Sequence, residues 1–183
     1  MATSKDTRPT YIFDLQTQRT YEDVGGKKNI TQMGISLAAL LNHATGDITV
    51  FTETDADVLL NTFLSSGLIV GLNLKKFSYR ILAGYRNIDF QNLNSLDLLD
   101  YLRKKIVRRP CIEDLFSGTL NLKKSIDNMK FTRLYQEGHI EQARQLIIQN
   151  VQALNSVYSF GKTNGYVYLN DPTGQRWKIS VSW

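Results

Sequence analysis

The chain has 183 residues, 42% of them apolar, and its 22 Lys+Arg against 17 Asp+Glu leave a net charge of +5. Length and apolar content are ordinary for one folded globular domain with a real core. The one cysteine, Cys111, excludes an internal disulfide, and no apolar run approaches the length of a membrane span.

The basic excess suits a nucleic-acid partner without requiring one. Cys111 is expected to be a buried thiol in a reducing interior. With no apolar signal core near the start, a cytoplasmic location is expected, with no membrane partner.

Residues 1–9 are polar and are expected to fray, leaving 10–183 as the folded domain. Tyr11-Ile-Phe-Asp-Leu-Gln16 alternates apolar and polar side chains and is rich in aromatic and β-branched types, so it reads as a first strand. Residues i and i+2 of a strand face the same side, which puts Asp14 and Gln16 together and Phe13 and Leu15 opposite. Thr20–Ile30 is a polar loop with a Gly pair, functional or simply solvated. Met33–Leu41 and Asp47–Phe51 flank a turn signal and predict a hairpin, so three antiparallel strands open the fold.

Thr54 or Asp55 is expected to cap a helix to about Ser65, in which Val58, Leu59, Thr62 and Phe63 have helical spacing. Leu68–Leu72 is a short apolar run after a helix, as a buried parallel strand would be. It delivers Asn73 at its carboxyl end, where open α/β sheets bind ligands, and Lys75–Arg80 opens the next helix. Asn94 or Ser95 is expected to cap a helix through Leu96, Leu99 and Leu102, with a short strand ending at Leu93 or Leu96 as the alternative.

The basic run Arg103–Arg109 is either a solvated helix end or a phosphate contact. Pro110 is expected to start a helix through Cys111, Leu115 and Phe116, and Gly118–Asn128 to be a polar connection. Ile140–Phe160 is the longest predicted helix, with Ile140, Ala143, Leu146, Ile147, Val151, Leu154, Val157 and Tyr158 in one apolar stripe. Asn150 falls inside that stripe, either as a hydrogen-bonded buried amide or lining a site against the sheet. Tyr166–Leu169 and Arg176–Val181 alternate around Asn170–Gly174 and predict a terminal hairpin.

The segments Phe13-Asp-Leu-Gln-Thr-Gln18, Val70-Gly-Leu-Asn-Leu-Lys-Lys-Phe-Ser-Tyr79, Ser95-Leu-Asp-Leu-Leu99, Tyr135-Gln-Glu-Gly138 and Gln149-Asn-Val151 together carry a resemblance. The chain resembles the ribonuclease H-like fold of the DEDD 3′–5′ exonucleases, most of all a bacterial branch of predicted ribonuclease H-like nucleases. The fold this implies is α/β and three-layered, with a mixed central sheet that opens with three antiparallel strands, flanking helices and a C-terminal β-hairpin. In that family four carboxylates hold two divalent metals that activate water and stabilise the leaving oxygen of a phosphodiester. By the resemblance, the first position is kept as Asp14, while Gln16, Ser78 and Asn150 stand at the other three. Asn73, Phe77 and Asp97 look retained: Asn73 to hydrogen-bond at the strand end or else to contact a phosphate or sugar, Phe77 as core, and Asp97 as a capping carboxylate or else a help to a metal.

Mg2+ and Mn2+ are hard cations held through anionic oxygens and water. With one carboxylate left of four, no cofactor is expected, and Mg2+ or Mn2+ would matter, through Asp14, only if nuclease activity is retained. His43 and His139 lack the partners for a zinc site or a His-activated nucleophile.

Three functions follow, in order. The first is a silent exonuclease relative acting as a scaffold or binding single-stranded DNA or RNA. Its contacts would be Asn73, Lys75, Lys76, Arg80, Lys123, Lys124 and the Arg103–Arg109 run, with Tyr79 and Tyr85 stacking on bases. The second is a structural subunit with a protein partner. The third is an active metal-dependent nuclease with an atypical site at Asp14, helped by Asp97.

Overall fold

The computed structural model describes residues 7–122 and 128–183, and for residues 128 and 129 the backbone only. Lys123 and Lys124 lie outside the described residues, as does most of segment 1–9.

Strand β1 (Thr10–Thr17) is followed by β2 (Ile35–Asn42), β3 (Ile48–Phe51), β4 (Leu68–Gly71) and β5 (Ser95–Asp97), assembled in the order β3-β2-β1-β4-β5. β1 is the middle strand. It pairs antiparallel with β2, Tyr11 opposite Asn42, and parallel with β4, Thr10 opposite Leu68. β2 and β3 are antiparallel, and β4 and β5 parallel. The sheet is therefore mixed and opens with three antiparallel strands, as the sequence pattern predicts. Because β1, β4 and β5 run the same way, their carboxyl ends share one edge, and that edge carries Asp14, Asn73 and Asp97.

Each sheet face is covered, which is why β1 and β2 are buried almost throughout. One face packs against α1 (Ala56–Ser65) and α2 (Tyr79–Leu82), burying Phe13, Leu15, Ala38, Leu40 and Ile69. The other packs under α3 (Leu98–Arg103), α4 (Ile112–Leu120), α5 (Asn128–Gln136) and α6 (Ile140–Asn164), burying Ile12, Leu37, Ala39 and Val70. The switch between Ile12 and Phe13 is the strand period of two read directly from sequence. Each fully buried Ile, Leu, Val or Phe among them contributes about 1.5–3 kcal/mol.

Several local expectations need correction. α1 buries Ala56, Leu59, Leu60 and Phe63, and Val58 is 59% exposed. Both sets have helical spacing, and only the sheet's position selects between them. Asp55 stands at the cap position of α1, but its carboxylate reaches back to the Thr52 N–H at 2.8 Å. Ser95–Asp97 is a strand, paired Ile69 to Ser95 and Gly71 to Asp97, so α3 starts at Leu98. Cys111 is exposed rather than buried and caps α4, its Sγ accepting from the Asp114 N–H at 3.4 Å. Partial burial of the sulfur and the neighbouring Asp114 and Glu113 carboxylates push this thiol up to about 11.

Residues 128–136, for which no helix is expected, form α5. α6 runs a turn beyond Phe160 to Asn164, and Ile140 is half-exposed outside its buried stripe. Among the described residues no helix is long and apolar enough to cross a membrane.

Strands β6 (Tyr166–Asn170) and β7 (Arg176–Ser180) form the terminal hairpin, a second sheet of two strands. Its turn is built on Asp171, whose Oδ1 accepts from the Thr173 and Gln175 N–H groups at 2.8 and 2.9 Å. Hydrogen bonds from Thr173 and Trp177 hold this carboxyl down to about 2. α4 covers the free edge of β6. Thr119 Oγ1 donates to the Tyr168 carbonyl at 2.8 Å and accepts from its N–H at 3.0 Å. The approach requires Gly118, where a Cβ would lie 2.6 Å from the Tyr168 carbonyl oxygen.

Candidate functional site

Asp14 and Gln16 project from β1 toward α6, whose stripe residues Ile147, Val151 and Leu154 are fully buried. Asn150 lies in the same stripe, so its amide faces the strand. Asn150 Nδ2 donates to Asp14 Oδ2 at 2.9 Å, and Gln16 Nε2 donates to the same oxygen at 3.2 Å. Asn150 is thus a part-buried, hydrogen-bonded amide on the side of α6 that faces Asp14. Desolvation pushes the Asp14 carboxyl above its ordinary range, opposed by the hydrogen bonds from Asn150, Gln16 and the Leu15 backbone.

The donor set does not suit a pair of divalent cations. Such ions take anionic oxygens, and here both amides present N–H hydrogens to the one carboxylate. Ser78, the remaining expected position, is 4% exposed and is not joined to this network by a hydrogen bond among the described residues. Among the described residues no group of three His, Cys, Asp or Glu could hold a metal ion.

A second network lies at the ends of β4 and β5. Asn73 takes a left-handed conformation, φ 51°, and starts a π-helical turn over Leu74–Ser78. In that turn the Ser78 N–H reaches the Asn73 carbonyl at 3.4 Å. Left-handed Asn and π-turns are both uncommon and recur at functional sites. Asp97 secures the turn: its carboxylate accepts from the Leu74 N–H at 2.8 Å and from the Asp100 N–H at 3.1 Å. It therefore ties the π-turn to the start of α3 and serves as the capping carboxylate expected from sequence. Burial pushes Asp97 up, against the pull of the Asp100 N–H bond. Arg103 completes the network, bonding Asp100 at 2.5 Å and the Asn73 side-chain oxygen at 3.3 Å.

The expected contact residues divide. Lys75, Lys76 and Arg80 are exposed along and just after the π-turn. Lys76 pairs with Asp100 at 3.1 Å, and Arg80 donates to the Lys27 carbonyl at 3.1 Å. Such exposed contacts contribute little to stability. Tyr79 is not a stacking platform. It is 3% exposed, bonds Ser95 Oγ at 2.6 Å and stacks on Phe90 within the core, and burial pushes its hydroxyl up to about 12. Tyr85 is likewise structural, receiving the Ile35 N–H at 2.8 Å and donating to Glu53. Phe77 is half-buried, edge-on to Tyr21.

In the basic run, Arg103 serves Asn73 and Asp100, and Arg108 is paired with Asp114 at 2.8 Å. His43 bonds Asn155 Oδ1 at 2.8 Å. The Asn73–Arg103 bond is the feature that sequence reasoning missed, because the residues lie on separate elements and no local pattern links them.

The same fold occurs within a DNA polymerase. The family B DNA polymerase from the hyperthermophilic archaeon Pyrobaculum calidifontis superposes with a TM-score of 0.55 at 11% identity, over 89% of this chain and 25% of the polymerase chain. The chain thus spans about a quarter of that protein's length. The likeness is one of fold. No protein-family model and no curated protein matches the chain.

Proposed function

We propose that this protein is a catalytically silent relative of the 3′–5′ exonucleases that binds single-stranded nucleic acid beside its former metal cleft. The observation that carries this reading is the convergence of the Gln16 and Asn150 amides on Asp14 Oδ2. Carboxylates gathered around a cation need that cation to offset their repulsion. Here two N–H groups donate to a single carboxylate, which supports a network that does without a metal. Gln and Asn keep nearly the shape of Glu and Asp, so the surrounding packing survives the loss of charge.

Binding has separate support. The net charge is +5, and Lys75, Lys76 and Arg80 stand exposed next to Asn73. The structural neighbour is a DNA polymerase. In this reading the three cations meet phosphates, while the Asp97–Leu74 and Arg103–Asn73 bonds hold the turn that presents them.

The test is calorimetric titration with Mn2+ of the wild type and of the triple reversion Gln16→Glu, Ser78→Asp, Asn150→Asp, beside cleavage assays on labelled DNA and RNA. The wild type is expected to take up no Mn2+ and to cut neither, and the reversion to gain Mn2+ binding. Mn2+-dependent cleavage by the wild type that Asp14→Ala abolishes would instead establish an active enzyme with an atypical site. Anisotropy titration of a labelled single strand at two salt concentrations tests binding, and no binding at the lower one removes that part.

A second reading, a subunit with a protein partner, is favoured by a cavity of about 390 Å³ lined by Ile106, Val107, Leu169, Trp177 and Ile179. Under it, Trp177→Ala abolishes partner capture in a pull-down.

A further inference from the structure

The terminal hairpin has two unlike faces. Val167 and Leu169 of β6 are buried in the core. Tyr166 and Tyr168 alternate with them and face outward, and the register brings β7 alongside with Tyr168 opposite Lys178 and Asn170 opposite Arg176. Each cation leans diagonally over a ring. The Arg176 guanidinium carbon lies 3.8 Å from the centroid of Tyr168, and Lys178 Nζ lies 3.8 Å from that of Tyr166. The two rings meet edge to face at 5.3 Å, and Phe160 at the end of α6 buttresses Tyr166 at 5.6 Å. Among the described residues neither cation is paired with a carboxylate, and Asp171, the nearest acid in sequence, is committed to the turn and to Trp177 Nε1.

We propose that this outer face is a second binding surface for single-stranded nucleic acid, with bases stacking on the Arg176 guanidinium held over the edge-to-face Tyr166–Tyr168 pair, and phosphates meeting Arg176 and Lys178. The proposal rests on the nucleic-acid reading above and adds a site to it. Single strands are bound by stacking platforms set in positive charge, and bases stack on guanidinium planes as well as on aromatic rings. Strand pairing and Phe160 already hold the tyrosines, so little conformational freedom is lost on binding. The surface is distinct from the Asp14 network: Phe160 lies ten residues beyond Asn150 on α6, about 15 Å along the axis at 1.5 Å per residue.

The experiment is anisotropy titration of fluorescein-labelled oligo-dT and oligo-U with the full chain at two salt concentrations. Wild type is compared with Arg176→Gln/Lys178→Gln, with Tyr166→Leu/Tyr168→Leu, and with the cleft variant Lys75→Gln/Lys76→Gln/Arg80→Gln, each checked for fold by circular dichroism. The charge variant is expected to bind about tenfold or more weakly and to lose about 1.4 from the salt slope, the value for two phosphate contacts on a single strand. The tyrosine variant is expected to lose about tenfold for the oligonucleotides but nothing for heparin, a polyanion without bases. If the tyrosine variant misfolds, Arg176→Lys replaces it, with a loss of affinity expected at unchanged charge. Hairpin variants with wild-type affinity overturn the proposal, and if the cleft variant then loses binding the earlier reading stands alone. If only the hairpin variants lose binding, the proposal holds and the cleft contacts fall. Absence of binding by the wild type overturns both.

Discussion

Asn150 on α6 donates its side-chain amide to Asp14 on β1 at 2.9 Å, across 136 residues of sequence. This bond and the one from Gln16 make the centre of the sheet edge a single hydrogen-bonded carboxylate rather than a cluster of acids. The contrast with a metal centre is measurable in stability as well as in activity.

Asn150→Asp alone restores a second carboxylate without restoring a full ligand set. Two like charges then meet where a donor met an acceptor, at a cost of about 1–3 kcal/mol. Thermal unfolding at neutral pH is expected to fall by about 3–10 °C. The loss should shrink in acid, as one of the two carboxyls takes a proton. A midpoint equal to wild type at neutral pH would mean that the two side chains are not in contact.

The titration of Asp14 has a definite sign. Its carboxyl is raised in the folded state, chiefly by burial, so the folded protein holds the proton more tightly than the unfolded chain. The resulting stability is fully present below the ordinary carboxylate range and is lost as pH rises through the folded value. Asp97 is shifted the same way but is common to both proteins when wild type is compared with Asp14→Asn. Denaturant midpoints should therefore show wild type losing ground to Asp14→Asn as pH rises from about 4, then a constant difference. A gap that widened in the opposite direction would contradict a raised carboxyl.

Asp97→Ala removes two bonds at once. The α3 cap is worth about 1 kcal/mol, and the buried Leu74 N–H left without an acceptor costs about 1–3 kcal/mol more. A midpoint lowered by about 5–12 °C is expected, with faster amide exchange at Leu74. Asp97→Asn, which keeps an acceptor oxygen, should lose clearly less. The two N–H groups use different oxygens of Asp97 and Asn supplies only one, so equal losses for the two variants would mean that the bond Asn keeps contributes little.

Gly118→Ala separates packing from helix propensity. In an exposed helix the change would stabilise by about 1 kcal/mol. Here the new Cβ meets the Tyr168 backbone at 2.6 Å, and backbone cannot step aside as a side chain can. Net destabilisation by about 1–3 kcal/mol is expected, read as a lower denaturant midpoint. Chemical-shift changes should concentrate on β6 and its neighbour Arg176.

The sequence alone determined what depends on neighbours a few residues away. Alternation placed Ile12 and Phe13 in different cores and set Asp14 beside Gln16. Turn residues marked both hairpins, and the 3.6-residue stripe of α6 put Asn150 on its inner side. Only the tertiary structure decided which of two overlapping stripes on α1 is buried, because Val58 and Leu60 differ only in where the sheet lies. It alone closed Asn150 onto Asp14 and Arg103 onto Asn73, withdrew Tyr79 into the core, and set Arg176 and Lys178 over the tyrosines of β6. Period and capping are short-range constraints carried by the local chain. A hydrogen bond between separate elements exists only once packing fixes their distance and register.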